Sequence, residues 1–161
     1  MKLFAITVTA IAALLLGCSS PPGAPSPSNS PAAGGNGVGG LISALAAANA
    51  PVRQAETFDP TPLRGQGVLL CVGREEVRVY VFASEQERAT AATSIDPSDP
   101  SHVGTSIVEW MGNPRFWQRD RILVLYLGTD APTDRLLTSV MGPPFARGAD
   151  GGRGAPRISS C

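Results

Sequence analysis

Six consecutive apolar residues at positions 122–127 constrain the fold more than any other part of this 161-residue chain. A strand with one face in water alternates apolar and polar side chains, because successive side chains point to opposite faces of the sheet. Residues 122–127 are apolar at every position, which is typical of a strand covered on both faces. The sequence therefore predicts a sheet with a central strand here and further structure on both of its sides.

The other strands are predicted from β-rich runs bounded by turn residues. Residues 66–71 and 76–82 are two such runs, and Gly73 between them indicates a hairpin. Arg119 and Asp120 are expected to form a second turn. The remaining strand candidates are residues 52–58, 106–110, 115–118 and 121–127.

Three helices are predicted from apolar periodicity and capping residues. Residues 41–48 place apolar side chains on one helical face and end before Pro51. The segment 84–87, Ser-Glu-Gln-Glu, is a capping box that begins a second helix. Asp130 caps the third, which ends before a Gly-Pro-Pro turn. The predicted fold class is α+β, in the order α-β-β-β-α-β-β-β-α, with a mostly antiparallel sheet.

Two segments with few apolar side chains flank the predicted helices and strands. Eighteen of residues 19–40 are Ser, Pro, Gly or Asn, a composition that predicts a disordered linker. Residues 147–161 are glycine-rich and predict a flexible tail. Residues 41–146 are of ordinary size for one domain, so we predict a single small domain there, after a linker at residues 18–40.

The first eighteen residues follow the pattern of a signal peptide, with Lys2 before an apolar run. That run is shorter than the roughly 20 apolar residues of a membrane-spanning helix, so residues 1–17 are predicted to be removed. The sequence Leu-Leu-Gly-Cys at residues 15–18 resembles the lipobox of bacterial lipoproteins. The resemblance implies acyl chains on Cys18 and therefore an extracytoplasmic protein anchored to a bacterial membrane; it leaves open which membrane.

Three further patterns lie in the second half of the chain: WxxxPxFW at residues 110–117, RILVLYLG at residues 121–128 and GPxFA at residues 142–146. Together they are similar to a recurring pattern in uncharacterised bacterial lipoproteins. The resemblance implies an envelope protein and brings no activity with it.

The charge of the chain argues against one class of partner. Twelve Arg and thirteen acidic residues follow the signal peptide, so we expect no binding to nucleic acid.

Two cysteines remain once Cys18 is acylated. In an oxidising compartment Cys71 and Cys161 are candidates for a disulfide bond. The alternative is a buried free thiol at Cys71 and a terminal Cys161 that bonds to another molecule or to none. Neither cysteine has the spacing of a redox or zinc motif, and we expect no metal and no organic cofactor.

His102 is the only histidine, in a loop before a predicted strand. One imidazole cannot build a multi-histidine metal site, although it can act as a general base. Asp99 and Ser106 lie near it in sequence, but a catalytic triad is defined by geometry rather than by spacing. The interpretation adopted is an exposed loop residue, and the alternative is a hydrolase site in the His102 loop.

The predicted turn at residues 119–120 is flanked by arginines and aromatic residues. Strand alternation sends Phe116 and Trp117 to opposite faces, so a buried Phe116 would place Trp117 at the surface beside Arg115. Tryptophan and arginine are over-represented at binding hot spots. The interpretation adopted is that both aromatics cover the two sides of the sheet and that the arginines flank the turn. The alternative is a binding face that comprises Arg115, Trp117, Arg119 and Arg121.

These features predict a membrane-anchored envelope lipoprotein that acts as a non-enzymatic binding or adaptor module. Its expected partners are the membrane, through Cys18, and an envelope protein or glycan. The alternatives are a small envelope hydrolase that uses the His102 loop, and an accessory of envelope assembly.

Overall fold

The computed structural model describes residues 36–149 and Cys161. The predicted signal peptide, Cys18, most of the predicted linker and residues 150–160 of the predicted tail lie outside the described residues. Within the described ranges, no helix has both the length and the apolar character needed to cross a membrane.

The predicted fold class is confirmed: the domain is α+β, with the elements in the predicted order. The helices are α1 (Val38–Ala47), α2 (Glu85–Thr93) and α3 (Ala131–Met141). The strands are β1 (Val52–Phe58), β2 (Gln66–Val72), β3 (Glu75–Val81), β4 (His102–Val103), β5 (Ser106–Ile107), β6 (Arg115–Arg119), β7 (Ile122–Tyr126) and β8 (Ala146–Arg147). The two-residue strands β4 and β8 are additional to the predicted ones, because two residues are too few for an alternation pattern to be seen.

Six strands form one sheet in the order β1-β2-β3-β7-β6-β8, with every neighbouring pair antiparallel. Strand β7 lies between β3 and β6, and all five of its residues are buried. The prediction of a central strand covered on both faces is confirmed. Strands β4 and β5 form a separate small hairpin.

Each face of the sheet carries its own apolar layer. On one face α1 and α3 contribute Leu41, Leu45 and Leu137, which pack on side chains of β2, β3, β6 and β7. On the other face α2 and the segment that follows it contribute Ala92, Ile95 and Val103. The alternating side chains of one strand therefore enter two different cores, as Phe116 and Trp117 of β6 do.

The helix ends follow the predicted capping chemistry. Ser84 Oγ accepts a hydrogen bond from the Glu87 N–H at 3.1 Å, while the Glu87 carboxylate accepts from the Ala83 N–H at 3.2 Å. Asp130 Oδ2 accepts from the Thr133 N–H at 2.9 Å at the start of α3. These side chains satisfy amide groups that have no partner within the first helical turn.

A disulfide bond joins Cys71 in β2 to Cys161, with the two Cα atoms 5.4 Å apart. Of the two alternatives left open by the sequence, the structure therefore contains the intramolecular bridge. Arg147, which was assigned to the tail because of its glycine-rich surroundings, is part of β8 and pairs with Arg115 of β6. Both described ends of the predicted tail, Arg147 and Cys161, are thus attached to the sheet.

The only two tyrosines of the chain are buried, Tyr80 at 1% and Tyr126 at 0% exposure. Burial raises the pKa of Tyr80 to about 12. Burial, assisted by the hydrogen bond that Tyr126 donates to Glu75 at 2.8 Å, also raises the pKa of Tyr126. Both phenols are therefore held neutral by the fold.

We expect stability to decrease at alkaline pH. The neutral phenols contribute fully below the ordinary tyrosine pKa of about 10, and this contribution is lost as the pH rises from there toward about 12 for Tyr80. The absorbance of phenolate, followed against pH, measures this. In urea both tyrosines should ionise with the ordinary pKa of about 10, whereas in the folded protein neither should ionise at that pH. A folded-state titration at the ordinary value would contradict the burial of that tyrosine, and Tyr126→Phe identifies which residue it is.

Candidate ligand-binding groove

A groove of about 870 Å³ lies between α2, the β4–β5 hairpin and the loop that precedes β2. Its base includes Leu63, Phe82 and Val103, which are only 3 to 5% exposed and belong to the apolar layer on that face of the sheet. The groove therefore has a rigid floor, because the residues that form it are held by the core.

Helix α2 supplies one wall of the groove. Gln86, Thr90 and Ser94 line it at intervals of four residues, which places them on one face of the helix. Thr90 Oγ1 donates to the Gln86 carbonyl at 3.0 Å, so its hydroxyl can still accept a hydrogen bond. This wall is polar, and it presents hydroxyl and amide groups to whatever occupies the groove.

The β4–β5 hairpin forms the facing wall and is attached to the end of α2. The Gly104 N–H donates to the Ser94 carbonyl at 2.7 Å, and Gly104 has φ 62°, a conformation that favours glycine. In the hairpin register Val103 pairs with Ser106, and both line the groove. The short strand pair thus directs one hydroxyl, that of Ser106, toward α2.

Two charged residues of opposite sign complete the rim. Arg64 is exposed on the loop before β2, and Glu87 stands on α2. One carboxylate oxygen of Glu87 is engaged by the Ala83 N–H in the cap. The arrangement offers an apolar floor with a few polar and charged groups around it, which is the usual composition of a small-molecule site.

His102 lies on the outer side of the same hairpin. It pairs with Ile107 rather than with Ser106, so its side chain points away from the groove. His102 Nδ1 is 2.8 Å from the Asp99 carboxylate, with both side chains 53% exposed. The hydrolase alternative would gain from a pocket that brings His102 near Ser106 or an acidic residue. The structure places His102 beside Asp99, but at the surface and on the side of the hairpin opposite to Ser106.

The structure agrees with the interpretation that both aromatics cover the sheet, because Trp117 has 0% exposure. The binding-face alternative, which needs Trp117 at the surface, is wrong on this point. Phe116 and Trp117 do point to opposite faces, as predicted, but α1 and α3 cover the face that carries Trp117. Arg115 shares that face and is only 8% exposed. Its guanidinium donates to the Gly128 carbonyl at 3.0 Å and lies 5.7 Å from the centre of the Tyr126 ring. Arg115 and Trp117 are therefore buried parts of the fold.

Arg119 and Arg121 of the predicted binding face remain at the surface. Arg119 donates to the Val140 carbonyl at 3.1 Å, and Arg121 donates to the Ala83 carbonyl at 3.4 Å. Each guanidinium has further N–H groups available to a partner. Two of the four residues of the binding-face alternative can thus contribute to a surface, but without an exposed Trp117 beside them.

No metal site is evident in the part of the chain that the structure describes: no three His, Cys, Asp or Glu residues come close enough to share an ion. Comparisons with protein-family models, curated proteins and solved structures find no match. The resemblance to uncharacterised bacterial lipoproteins stays a prediction, and the groove is interpreted from its own residues.

Proposed function

We propose that this chain is an exported, lipid-anchored binding module whose ligand occupies the groove between α2 and the β4–β5 hairpin. The groove itself is the observation that carries the proposal. Its volume of about 870 Å³ lies within the range of about 300–1,000 Å³ that is common for small-ligand sites, and its floor is preformed.

Two independent features support the extracytoplasmic location. The first is the signal-peptide and lipobox pattern that ends at Cys18. The second is the bond between Cys71 and Cys161, since structural disulfides persist in oxidising compartments and are rare in the reducing cytosol. Both point to a domain outside the cytoplasm, and the lipobox pattern adds the acyl chains that would anchor it.

The rim indicates the chemistry of the ligand. Arg64 can pair with a carboxylate or another anion, and Glu87 can accept from an ammonium or amide group. Hydroxyl groups from Thr90 and Ser106 lie on the two facing walls. A small polar molecule or a short peptide segment with groups of both signs fits this lining better than a purely apolar ligand does.

The proposal is tested by photo-cross-linking from the two sides of the β4–β5 hairpin in the native envelope. p-Benzoylphenylalanine at position 106 faces the groove, whereas at position 107 it faces solvent, where Ile107 is 78% exposed. We expect a discrete adduct, identified by mass spectrometry, from position 106 and not from position 107.

Helix α2 offers a matched pair of variants for the same experiment. Thr90→Arg places a large side chain in the groove, while Thr93→Arg adds the same group to a threonine of α2 that is also exposed but does not line the groove. Thr90→Arg should reduce the adduct about tenfold or more, which corresponds to about 1.4 kcal/mol of binding free energy. Equal adducts with both variants, or none from position 106, would remove the groove from consideration.

A further inference from the structure

The disulfide bond joins two cysteines that differ in their access to solvent. Cys71 lies inside the sheet, in β2, where it pairs with Arg53 of β1 on one side and with Glu76 of β3 on the other. Its exposure is only 1%. Cys161 lies outside the strands and is partly exposed. One half of the bond is thus enclosed by the domain, while the other half reaches the surface.

The position of Cys71 in the sheet explains why it is enclosed. Side chains of β2 alternate between the two faces, and Leu70 and Val72 belong to the layer that α1 and α3 cover. Cys71 therefore points to the opposite face, as does Leu69, which is 5% exposed. Strand β2 is an interior strand with a neighbour on each side. The domain itself therefore fills the space around the Cys71 side chain.

The bond connects the last residue of the sequence back across the sheet. The strand register joins β8 to β2 through one row of paired residues, which are Arg147, Arg115, Tyr126, Val77 and Leu70. Cys71 directly follows Leu70, so the bond attaches the end of the chain to a strand that lies four strands away from β8. Opening the bond would break the covalent loop that links these two strands.

Exchange at a disulfide bond requires access to the sulfur that is attacked. The incoming thiolate approaches along the line of the S–S bond, from the side of the attacked sulfur that faces away from its partner. At Cys71 the domain occupies this side, because the residue is 1% exposed. At Cys161 the partial exposure leaves room for an incoming sulfur.

We propose that Cys161 is the site at which this bond exchanges with thiols outside the domain, and that Cys71 is the thiol that leaves and later closes the bond again. The partner is defined by its chemistry as a thiol, which either a small molecule or the dithiol of a thiol–disulfide oxidoreductase can supply. This inference is independent of the groove and of the lipid anchor.

The exchange proceeds in two steps. The incoming thiolate forms a bond to Cys161 Sγ, the bond between the two cysteines breaks, and its electron pair leaves on Cys71 Sγ, which takes up a proton. With a small thiol, Cys71 then attacks Cys161 Sγ, restores the original bond and expels the small thiol. With a dithiol, the second thiolate of the partner attacks the mixed disulfide, and Cys161 leaves as a thiol. The partner is then oxidised to a disulfide, and both cysteines are reduced.

Trapping the mixed disulfide tests the proposal on the full oxidised chain without any substitution. The protein is mixed with reduced glutathione, or with a thioredoxin-type oxidoreductase whose second cysteine is replaced by serine, and the reaction is stopped with N-ethylmaleimide. Trypsin cleaves after Arg64, Arg74 and Arg157, so Cys71 and Cys161 fall in separate peptides for mass spectrometry. The same reactions in urea, where the fold is absent, provide the control.

In the folded protein we expect adducts on Cys161 to exceed those on Cys71 about tenfold or more, and in urea the two should be about equal, because both sulfurs are then accessible. Adducts with glutathione identify small thiols as sufficient partners, whereas adducts with the oxidoreductase alone assign the exchange to a protein dithiol. Adducts mainly on Cys71, the same distribution in folded and unfolded protein, or no adduct on the folded protein with either reagent would overturn the proposal.

Discussion

Replacing Cys161 with alanine is expected to lower the free energy of unfolding by about 4 kcal/mol. The bond between Cys71 and Cys161 spans 90 positions of the sequence, so it closes a long loop that contains every element from β3 to β8. In the chain-entropy model, closing a loop of this size restricts the unfolded chain by an amount worth about 4–5 kcal/mol at room temperature. Since small domains have only about 5–15 kcal/mol of stability in total, the loss should be large.

Urea unfolding with and without a thiol reductant measures this effect. Reduced wild type and Cys161→Ala should unfold at the same urea concentration, well below that of the oxidised protein. Cys71→Ala removes the same bridge and also a side chain that is 1% exposed, so it should be somewhat less stable than Cys161→Ala. An oxidised wild type no more stable than Cys161→Ala would contradict the stabilising role of the bridge.

Replacing Trp117 with alanine should cost about 3–5 kcal/mol, the usual range for a fully buried aromatic residue. Trp117 has 0% exposure and lies among side chains of α1, α3 and the sheet, so its removal leaves a cavity with few ways to collapse. The same substitution at an exposed binding residue would be close to neutral for stability. Thermal or urea unfolding of the variant therefore distinguishes directly between a core tryptophan and a surface one.

Trp117→Phe provides the matched control for this prediction. The Trp117 indole N–H is buried without a hydrogen-bond partner among the described residues. Phenylalanine removes that unsatisfied donor while keeping most of the apolar volume, so we expect it to cost much less than alanine does. A stability loss below about 1 kcal/mol for Trp117→Ala would be inconsistent with a core position.

The order of the helices and strands was predictable because each element carries its own local signal. The side chains of Ser84 and Asp130 accept hydrogen bonds from nearby amides, and this chemistry depends only on residues three positions away. The uninterrupted apolar run of β7 likewise indicated burial on both faces before any neighbour was known. Such signals require no knowledge of which elements come together.

The sequence did not predict the candidate site, because the residues that form it carry no local signal. The groove joins Leu63, Phe82, Thr90 and Ser106, which belong to four separate segments of the chain. No spacing within the sequence connects them, and none has a motif of its own. The nearest sequence signal, the polar face of α2 with Gln86 and Thr90, is also what any solvent-exposed helix shows.

Trp117 shows what strand alternation leaves open. Strand alternation correctly separated it from Phe116, but alternation does not say whether one layer of helices or two will cover the sheet. Once α1 and α3 pack on the second face, Trp117 becomes part of the core.

The sequence by itself determined the α+β class, the order of the elements, the helix caps and the central position of β7, because these depend on patterns read along a few neighbouring residues. Only the tertiary structure decided the pairing of Cys71 with Cys161, the burial of Trp117 and the formation of the groove. Those features depend on contacts between residues far apart in the chain. Such contacts are selected by the packing of whole elements against one another.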